Sequence, residues 1–261
     1  MEQQENKQSD AALFVKVGIV VLSILVLIGL GVKFLPDAIS VSNIGRKRDL
    51  PIYCVNTEEN KVAVTFDTAW GNEDIPAILD ILEDHKVKAT FFVTGEWVRK
   101  YPVDVIRIAK AGHDLGNHSE NHKQMTQLTE EQCKQEIMKN HERVKKLTGV
   151  EMNLFRPPYG DYNNAVVGTA RECGYYTIQW DVDSLDWKDY GVKGIIDRTV
   201  NHKKLGKGSI LLMHTGTKYT AEALLKVILG LQEKGYELVP VSELIYMGEY
   251  EVDHTGRQIG K

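Results

Sequence analysis

Side chains that can transfer protons, bind metals or stabilise charge follow several short apolar runs in this sequence. Asp67 comes directly after the stretch VAVTF. A carboxylate at the end of a buried strand can act as a general base when its surroundings keep it ionised. His118 and His122 lie four residues apart in HSENH, so on one helical turn both rings can face one metal ion. Further groups of this kind are Arg156 in RPPYG, Asp183 and Asp186 in DSLDW, and His214 at the end of SILLMH.

Each of these motifs, taken by itself, also has a purely structural interpretation. Two histidines four residues apart are often plain surface residues, and RPPYG can be a simple proline turn. DSLDW can be a charged loop with an anchoring tryptophan, and LLMH can be a core strand that ends in a hydrogen-bonded histidine. What favours a functional interpretation is the position that the motifs share, since each lies at or after the end of an apolar run.

That position follows from the predicted elements. Apolar strand patterns alternate about seven times with amphipathic helix patterns, which is typical of a parallel α/β fold. In a barrel of this kind the carboxyl ends of all strands meet at one face, where active sites are built. An open doubly wound sheet is the structural alternative. The predicted strands cover 61–66, 88–93, 113–118, 153–158, 175–182, 209–214 and 236–241, and TEEQ at 129–132 predicts a capping box at the start of a long helix.

The composition narrows the classes of function. The 261 residues carry a formal net charge of −4, so no basic excess indicates a nucleic-acid partner. The three cysteines are widely spaced and include no CxxC pair, which predicts neither a disulfide framework nor a thiolate metal site. No GxGxxG or phosphate-binding loop occurs, so a nucleotide site has little support.

The N-terminal region contains the uncharged run VGIVVLSILVLIGLGV at 17–32. Extended back to Ala11, it reaches the roughly 20 residues that a spanning helix needs, and Lys16 can reach the interface. We interpret 11–35 as one uncleaved transmembrane anchor, with a cleaved signal peptide and a buried helix as the alternatives. The expected organisation is therefore a tail (1–10), the anchor (11–35), a linker (36–51), a catalytic domain (52–246) and a C-terminal tail (247–261).

With these motifs, the sequence resembles the polysaccharide deacetylases, the carbohydrate esterase group named after its nodulation-factor deacetylase domain. The similarity spans about Lys61 to Leu244, and its motifs occur in the family's order: TFD, HSxxH, RPPY, DxxDW and LxH. The resemblance implies an irregular (β/α)7-type barrel. It also implies hydrolysis of the N-acetyl group of an acetamido sugar with the help of a divalent metal such as zinc.

The resemblance also implies a role for each motif. Asp67 would be the general base, held ionised by Arg156, and His118 and His122 would bind the metal. Asp186 would tune His214, the general acid. The backbone N–H of Tyr159 would stabilise the oxyanion, and Trp187 and Leu212 would line the pocket for the acetyl methyl group. Asp183 receives no role.

One position departs from the family's pattern. The common motif is TFDD, whose second aspartate is the third metal ligand, whereas this chain has Thr68 there. A neutral hydroxyl is a poorer ligand for a divalent ion than a carboxylate. Similar departures mark branches of the family linked to spore formation and peptidoglycan modification.

The resemblance and the basic residues lead to different expectations for membrane orientation. Counting lysines and arginines on each side of the apolar run favours a cytoplasmic C-terminus. A cell-wall glycan as substrate instead requires the catalytic domain outside the membrane, and we expect this second arrangement, with membrane lipid contacting only the N-terminal helix.

Two functions therefore compete on the sequence. The first is a membrane-anchored, metal-dependent N-deacetylase of peptidoglycan. The second is a catalytically weak or inactive glycan-binding protein on the same fold. The presence of Asp67, Arg156, Asp186 and His214 together favours the enzyme, because a binding protein has no need for a complete set of proton-transfer residues.

Overall fold

The structure is a computed structural model that describes residues 48–261. Its centre is strand β2 (Lys61–Thr68), which is buried along almost its whole length. Such a run is typical of a parallel strand that is covered on both faces. The other strands of the main sheet are β3 (Thr90–Val93), β4 (Asp114–Asn117), β5 (Leu154–Phe155), β6 (Tyr176–Thr177), β7 (Val182–Asp183), β8 (Ile210–His214) and β9 (Glu237–Leu238).

These strands form one parallel sheet in the order β6-β5-β4-β3-β2-β8-β7, with β9 paired to the start of β2. The sheet curves into a half-barrel, which fits the predicted (β/α)7-type architecture. The predicted alternation of strands and helices in a parallel α/β fold is therefore confirmed.

The helices cover the outer face of the sheet. A long helix (Glu130–Thr148) begins with the predicted capping box: the Thr129 side chain accepts from the backbone N–H of Gln132, whose side chain accepts from the N–H of Thr129. The helices are α1 (Ile75–Asp84), α2 (Gly95–Lys100), α3 (Pro102–Lys110), α4 (Glu130–Thr148), α5 (Asn164–Glu172), α6 (Gly191–Thr199), α7 (Thr220–Glu233) and α8 (Val241–Leu244).

Alternation along β2 separates the core from the site. Val62, Val64 and Phe66 pack in the apolar layer beneath the helices. The odd-numbered residues point to the concave face, where Thr65 and Asp67 contact a buried arginine. The period of two in a strand thus places polar groups and core residues on opposite faces of one segment.

The predicted fifth strand, 175–182, is divided in the structure. Its two ends form β6 and β7, which lie at opposite edges of the sheet. Between them the chain crosses the open side of the half-barrel: the N–H of Gln179 donates to the carbonyl of Ile52, and the N–H of Asp181 donates to that of Ile210. An apolar run of residues does not reveal such a change of pairing partner, so the sequence pattern alone predicted one strand.

Residues 247–261 contribute two strands to a second, smaller sheet. β10 (Tyr250–Val252) and β11 (Arg257–Gly260) are antiparallel, and β11 pairs in parallel with β1 (Cys54–Val55). The C-terminal segment is therefore hydrogen-bonded to the first strand that the structure describes.

The predicted anchor at 11–35 lies outside the described residues. Among residues 48–261, no helix has both the length and the apolar character that crossing a membrane requires. The compact unit that contains all the motifs runs from Asp49 to Lys261.

Candidate active site

Asp67 and Arg156 form a buried ion pair on the concave face. Arg156 has no exposed surface, and its Nη1 donates to Asp67 Oδ1 and to Thr65 Oγ1, each at 2.8 Å. Its Nη2 donates to the carbonyl of Gln179 at 3.1 Å. Burial raises the pKa of Asp67, but its electrostatic interactions with His118, Arg156 and His214 outweigh this effect and lower the pKa below its ordinary value. The carboxylate is thus held ionised, as a general base requires.

The two histidines of HSENH lie beside this carboxylate. The rings of His118 and His122 are 4.9 Å apart, and His118 Nε2 is 3.5 Å from Asp67 Oδ2. His118 Nδ1 lies 2.7 Å from the carbonyl oxygen of Arg156, which can only accept, so Nδ1 carries the proton. Burial lowers the pKa of both rings, that of His122 to about 4. In its neutral form, His118 Nε2 therefore points a lone pair at the carboxylate.

The opposite side of the cavity contains His214 and Asp186. Asp186 is fully buried; its Oδ1 lies 2.7 Å from His214 Nδ1, and its Oδ2 accepts from the backbone N–H of His214 at 2.7 Å and from Thr220 Oγ1 at 2.6 Å. Burial lowers the pKa of His214, but the hydrogen bond and charge of Asp186 outweigh it and raise the pKa above its ordinary value. The structure thus favours a protonated imidazole at this position.

The register of the sheet places the two sides opposite each other. Asp67 and His214 are direct partners across β2 and β8, and Leu212 and Asp183 are partners across β8 and β7. In-register residues on neighbouring strands point to the same face. The predicted base and the predicted acid, 147 residues apart in the sequence, therefore enter the same cavity.

This cavity has a volume of about 420 Å³. The predicted pocket residues Trp187 and Leu212 line it, with Trp187 half-exposed at the rim. Tyr159 also lines it; its backbone has a φ of 61°, and its ring lies 4.5 Å from that of His122. The full lining comprises Asp67, Ala69, Trp70, His118, His122, Tyr159, Trp180, Asp183, Trp187, Leu212 and His214.

Four of the groups at the site received no role from the sequence. Thr65 accepts from Arg156, Trp180 and Trp70 line the cavity, and Asp183 accepts from Trp180 Nε1 at 3.1 Å and from the N–H of Leu185 at 2.9 Å. Asp183 therefore holds a cavity-lining indole and its own loop. The alternation along β2 could have indicated Thr65, since it lies two residues before Asp67.

The residues present fit a divalent ion only in part. The Nδ1–H of His118 is bound to a carbonyl, the usual outer partner of a metal-ligating histidine, and its Nε2 lies 3.5 Å from Asp67 Oδ2. Thr68, however, is completely buried, its Oγ1 lies 3.5 Å from the carbonyl of Phe66, and it does not line the cavity. Within 48–261 no three histidine, cysteine or acidic residues are arranged to hold a metal. The histidine pair fits an ion, and the third position does not.

Comparison with known proteins identifies the family. The family model for polysaccharide deacetylase matches residues 55–178. The peptidoglycan-N-acetylmuramic acid deacetylase PdaA of Bacillus subtilis is 36% identical over 76% of this chain and 76% of its own length. This chain belongs to the polysaccharide deacetylase family. The resemblance seen in the motifs is thereby confirmed, and the chain is a carbohydrate-esterase hydrolase by family.

Solved structures place both active and inactive polysaccharide deacetylases near this chain. PdaA has a TM-score of 0.70 at 36% identity, with 74% of this chain and 84% of PdaA covered. A pseudoenzyme of carbohydrate esterase family 4 from Bacillus anthracis has a TM-score of 0.71 at 36% identity, with 74% and 68% covered. The uncharacterized protein YlxY of B. subtilis is 39% identical over 75% of this chain, which spans only 60% of YlxY. Fold and family alone therefore do not decide whether a given member is active.

Proposed function

We propose that this protein removes N-acetyl groups from acetamido sugars of peptidoglycan. The observation that carries the proposal is the pairing of an ionised Asp67 with an Asp186-bound His214 across neighbouring strands of one cavity. A carboxylate with a lowered pKa and an imidazole with a raised pKa are the two states that a base and an acid need.

The reaction would use these groups in order. Asp67 takes a proton from water as the water oxygen attacks the acetyl carbonyl carbon. The backbone N–H of Tyr159 stabilises the negative oxygen that forms. His214 then donates its proton to the sugar nitrogen, the carbon–nitrogen bond breaks, and acetic acid and a free amine leave. The acetic acid loses its proton to solvent, and proton exchange with solvent restores the ionised Asp67 and the protonated His214. Leu212 and Trp187 provide an apolar wall for the acetyl methyl group.

A divalent ion such as zinc would be held by His118 and His122. When bound, it would supply Lewis-acid polarisation next to Asp67. The remaining groups do not depend on it for their positions, since Arg156 orients the carboxylate and Asp186 orients His214 through direct hydrogen bonds.

A glycan-binding protein without efficient chemistry is the second candidate. Thr68 in the third-ligand position favours it, as does the similarity to a pseudoenzyme of the same family. Against it stands the buried hydrogen-bond network around Asp186. Three groups satisfy this carboxylate, and all of them serve to hold His214 or the turn next to it.

Mass spectrometry separates the two candidates. The full-length protein is incubated with peptidoglycan fragments, with and without added zinc, and the products are examined for the loss of an acetyl group. We expect deacetylated fragments with the parent and none with Asp67→Asn. Fragments that stay fully acetylated under all conditions, while still binding to the protein, would establish the glycan-binding function instead.

We further propose that the N-terminal segment 11–35 anchors the protein in the cell membrane with the catalytic domain outside. The support is the apolar run in the sequence and the location of a cell-wall substrate. Protease added to intact cells after the wall is opened should cut the domain. Full protection of the domain from the protease would instead support the cytoplasmic orientation that the basic residues favour.

A further inference from the structure

We infer that Trp70 is a substrate-positioning residue on which a sugar ring of the glycan stacks. The inference rests on the proposed function, because it takes an acetamido glycan as the occupant of the cavity. It concerns a residue that lies outside the motifs from which the family was recognised, three positions after Asp67 in the loop between β2 and α1.

The indole of Trp70 lies directly over the proposed general acid. Its ring is stacked on that of His214 with centroids 5.3 Å apart and planes inclined by 20°. Trp70 lines the cavity, yet 47% of its surface is exposed. Leaving a large aromatic side chain half-exposed has no benefit for the core, whereas at a cavity mouth it provides a flat apolar surface for a ligand.

The loop that contains Trp70 is fixed by contacts at two residues that follow the indole, Gly71 and Asp74. The carbonyl of Gly71 accepts from Trp97 Nε1 at 3.0 Å, and both carboxylate oxygens of Asp74 accept from the N–H of Gly216 at 2.9 Å. Gly216 has a φ of +72°, and a Cβ added there would lie 2.8 Å from the backbone nitrogen of Gly71. The loops after β2 and β8 therefore touch, and this contact holds the indole over His214.

A pre-positioned indole suits a pyranose ring. One face of such a ring consists largely of C–H groups with partial positive charge, and the face of an aromatic ring is negative. Because the leaving nitrogen must reach His214, a sugar ring of the substrate has to pass close to the group that covers this histidine. A rigid platform also reduces the ordering that the glycan requires on binding.

Binding can be measured without turnover in the full-length Asp67→Asn variant. Calorimetric titration with a tetramer of β-1,4-linked N-acetylglucosamine is compared for this variant and for versions that also contain Trp70→Ala, Trp70→Phe or Tyr190→Ala. Tyr190 is the matched control, since it is equally exposed but does not line the cavity. We expect Trp70→Ala to raise the Kd about tenfold, Trp70→Phe to raise it about twofold to threefold, and Tyr190→Ala to leave it unchanged.

Kinetics on the otherwise unchanged protein provide a second readout. Trp70→Ala should raise KM more than it lowers kcat, because the lost contact holds substrate and does not move a proton. Circular dichroism melts show whether each variant is folded, and Trp70→Phe keeps an aromatic ring should the alanine variant fail to fold.

The results distinguish this inference from the proposed function. Acetate release by the parent together with an unchanged tetramer Kd in Trp70→Ala would overturn the stacking role and leave deacetylation in place. Trp70-dependent binding of the tetramer without any acetate release would support the stacking role and overturn deacetylation. No binding of the tetramer by the Asp67→Asn protein would overturn the stacking role.

Discussion

The two sides of the cavity differ in how completely protein side chains supply the groups that each would need for its role. On one side, His214 is held by a fully buried Asp186, whose oxygens are occupied by three hydrogen bonds from His214 and Thr220. On the other side, His118 and His122 line the cavity with Asp67, no third metal-ligating side chain joins them among residues 48–261, and Thr68 is completely buried outside the cavity lining. The side that contains His214 is thus held by hydrogen bonds between protein groups, whereas on the histidine side Thr68 leaves the third-ligand position without a carboxylate.

This difference has a physical cause. A proton-transfer pair needs one hydrogen bond of correct geometry and a low local polarity, both of which buried side chains provide. Tight binding of a divalent ion needs several charged or imidazole ligands around one point, so the loss of a single carboxylate weakens it sharply. A chain can therefore keep its base and acid while its metal affinity falls.

The largest expected effect comes from Asp67, which lies beside His118 and is the register partner of His214. Asp67→Asn should lower deacetylation by about 10²–10⁴-fold, because an amide cannot accept the proton of water. The rate of acetate release, measured with a melt to confirm folding, tests this. A folded variant that turns over as fast as the parent would show that Asp67 is not the base.

The next largest effect on turnover is expected on the side that contains His214, the proposed general acid. His214→Ala should lower turnover by about 10²-fold or more, since the amine would leave unprotonated. Thr220→Val is the milder comparison on the same side, because it removes only one of the hydrogen bonds to Asp186. A change of less than a few-fold in His214→Ala would assign the acid role to another group.

The pH dependence of turnover tests the same pair. A protonated imidazole is the active acid, so activity should be present below the pKa of His214 and lost as the pH rises through it. Asp186 raises this pKa above its ordinary value despite burial, which extends activity to higher pH. In Asp186→Asn the alkaline limb of the profile should therefore move to lower pH. A limb that moves to higher pH, or stays in place, would contradict the pairing.

A smaller effect, on metal affinity alone, is expected when a carboxylate is placed at position 68 on the histidine side. The register places Thr68 level with Val93 and Asn117, one step before His118. Thr68→Asp should tighten zinc binding by about tenfold, because a carboxylate adds both charge and a better ligand.

Calorimetric titration with zinc compares the parent, Thr68→Asp and His118→Ala, and we expect no zinc binding in the last. Equal zinc affinities in the parent and Thr68→Asp would show that residue 68 does not face the ion. No heat with the parent, alongside undiminished acetate release in chelator, would exclude a role for the metal in the reaction.

The smallest effect is expected from the N-terminal segment. Deletion of Met1 to Phe34 should leave the circular-dichroism melt and the acetate release of the remaining protein unchanged, because every group of both sides lies between Thr65 and Thr220. Misfolding of the shortened chain would mean that the apolar run packs against the domain.

The sequence by itself determined the order of the elements and the set of reactive groups. Parallel strands that are covered on both faces need continuous apolar runs, so KVAVTF and SILLMH were sufficient to predict β2 and β8. The capping box at Thr129 could also be predicted from the sequence, because it consists of contacts between residues only three positions apart.

Only the tertiary structure decided which groups meet. The pairing of Asp67 with His214, the passage of Gln179 across the barrel to accept from Arg156, and the stacking of Trp70 on His214 all join residues that are distant in sequence. Strand register and the contact between two loops bring these residues together. Neither leaves a periodic trace in one chain, because both depend on how separate segments pack in space.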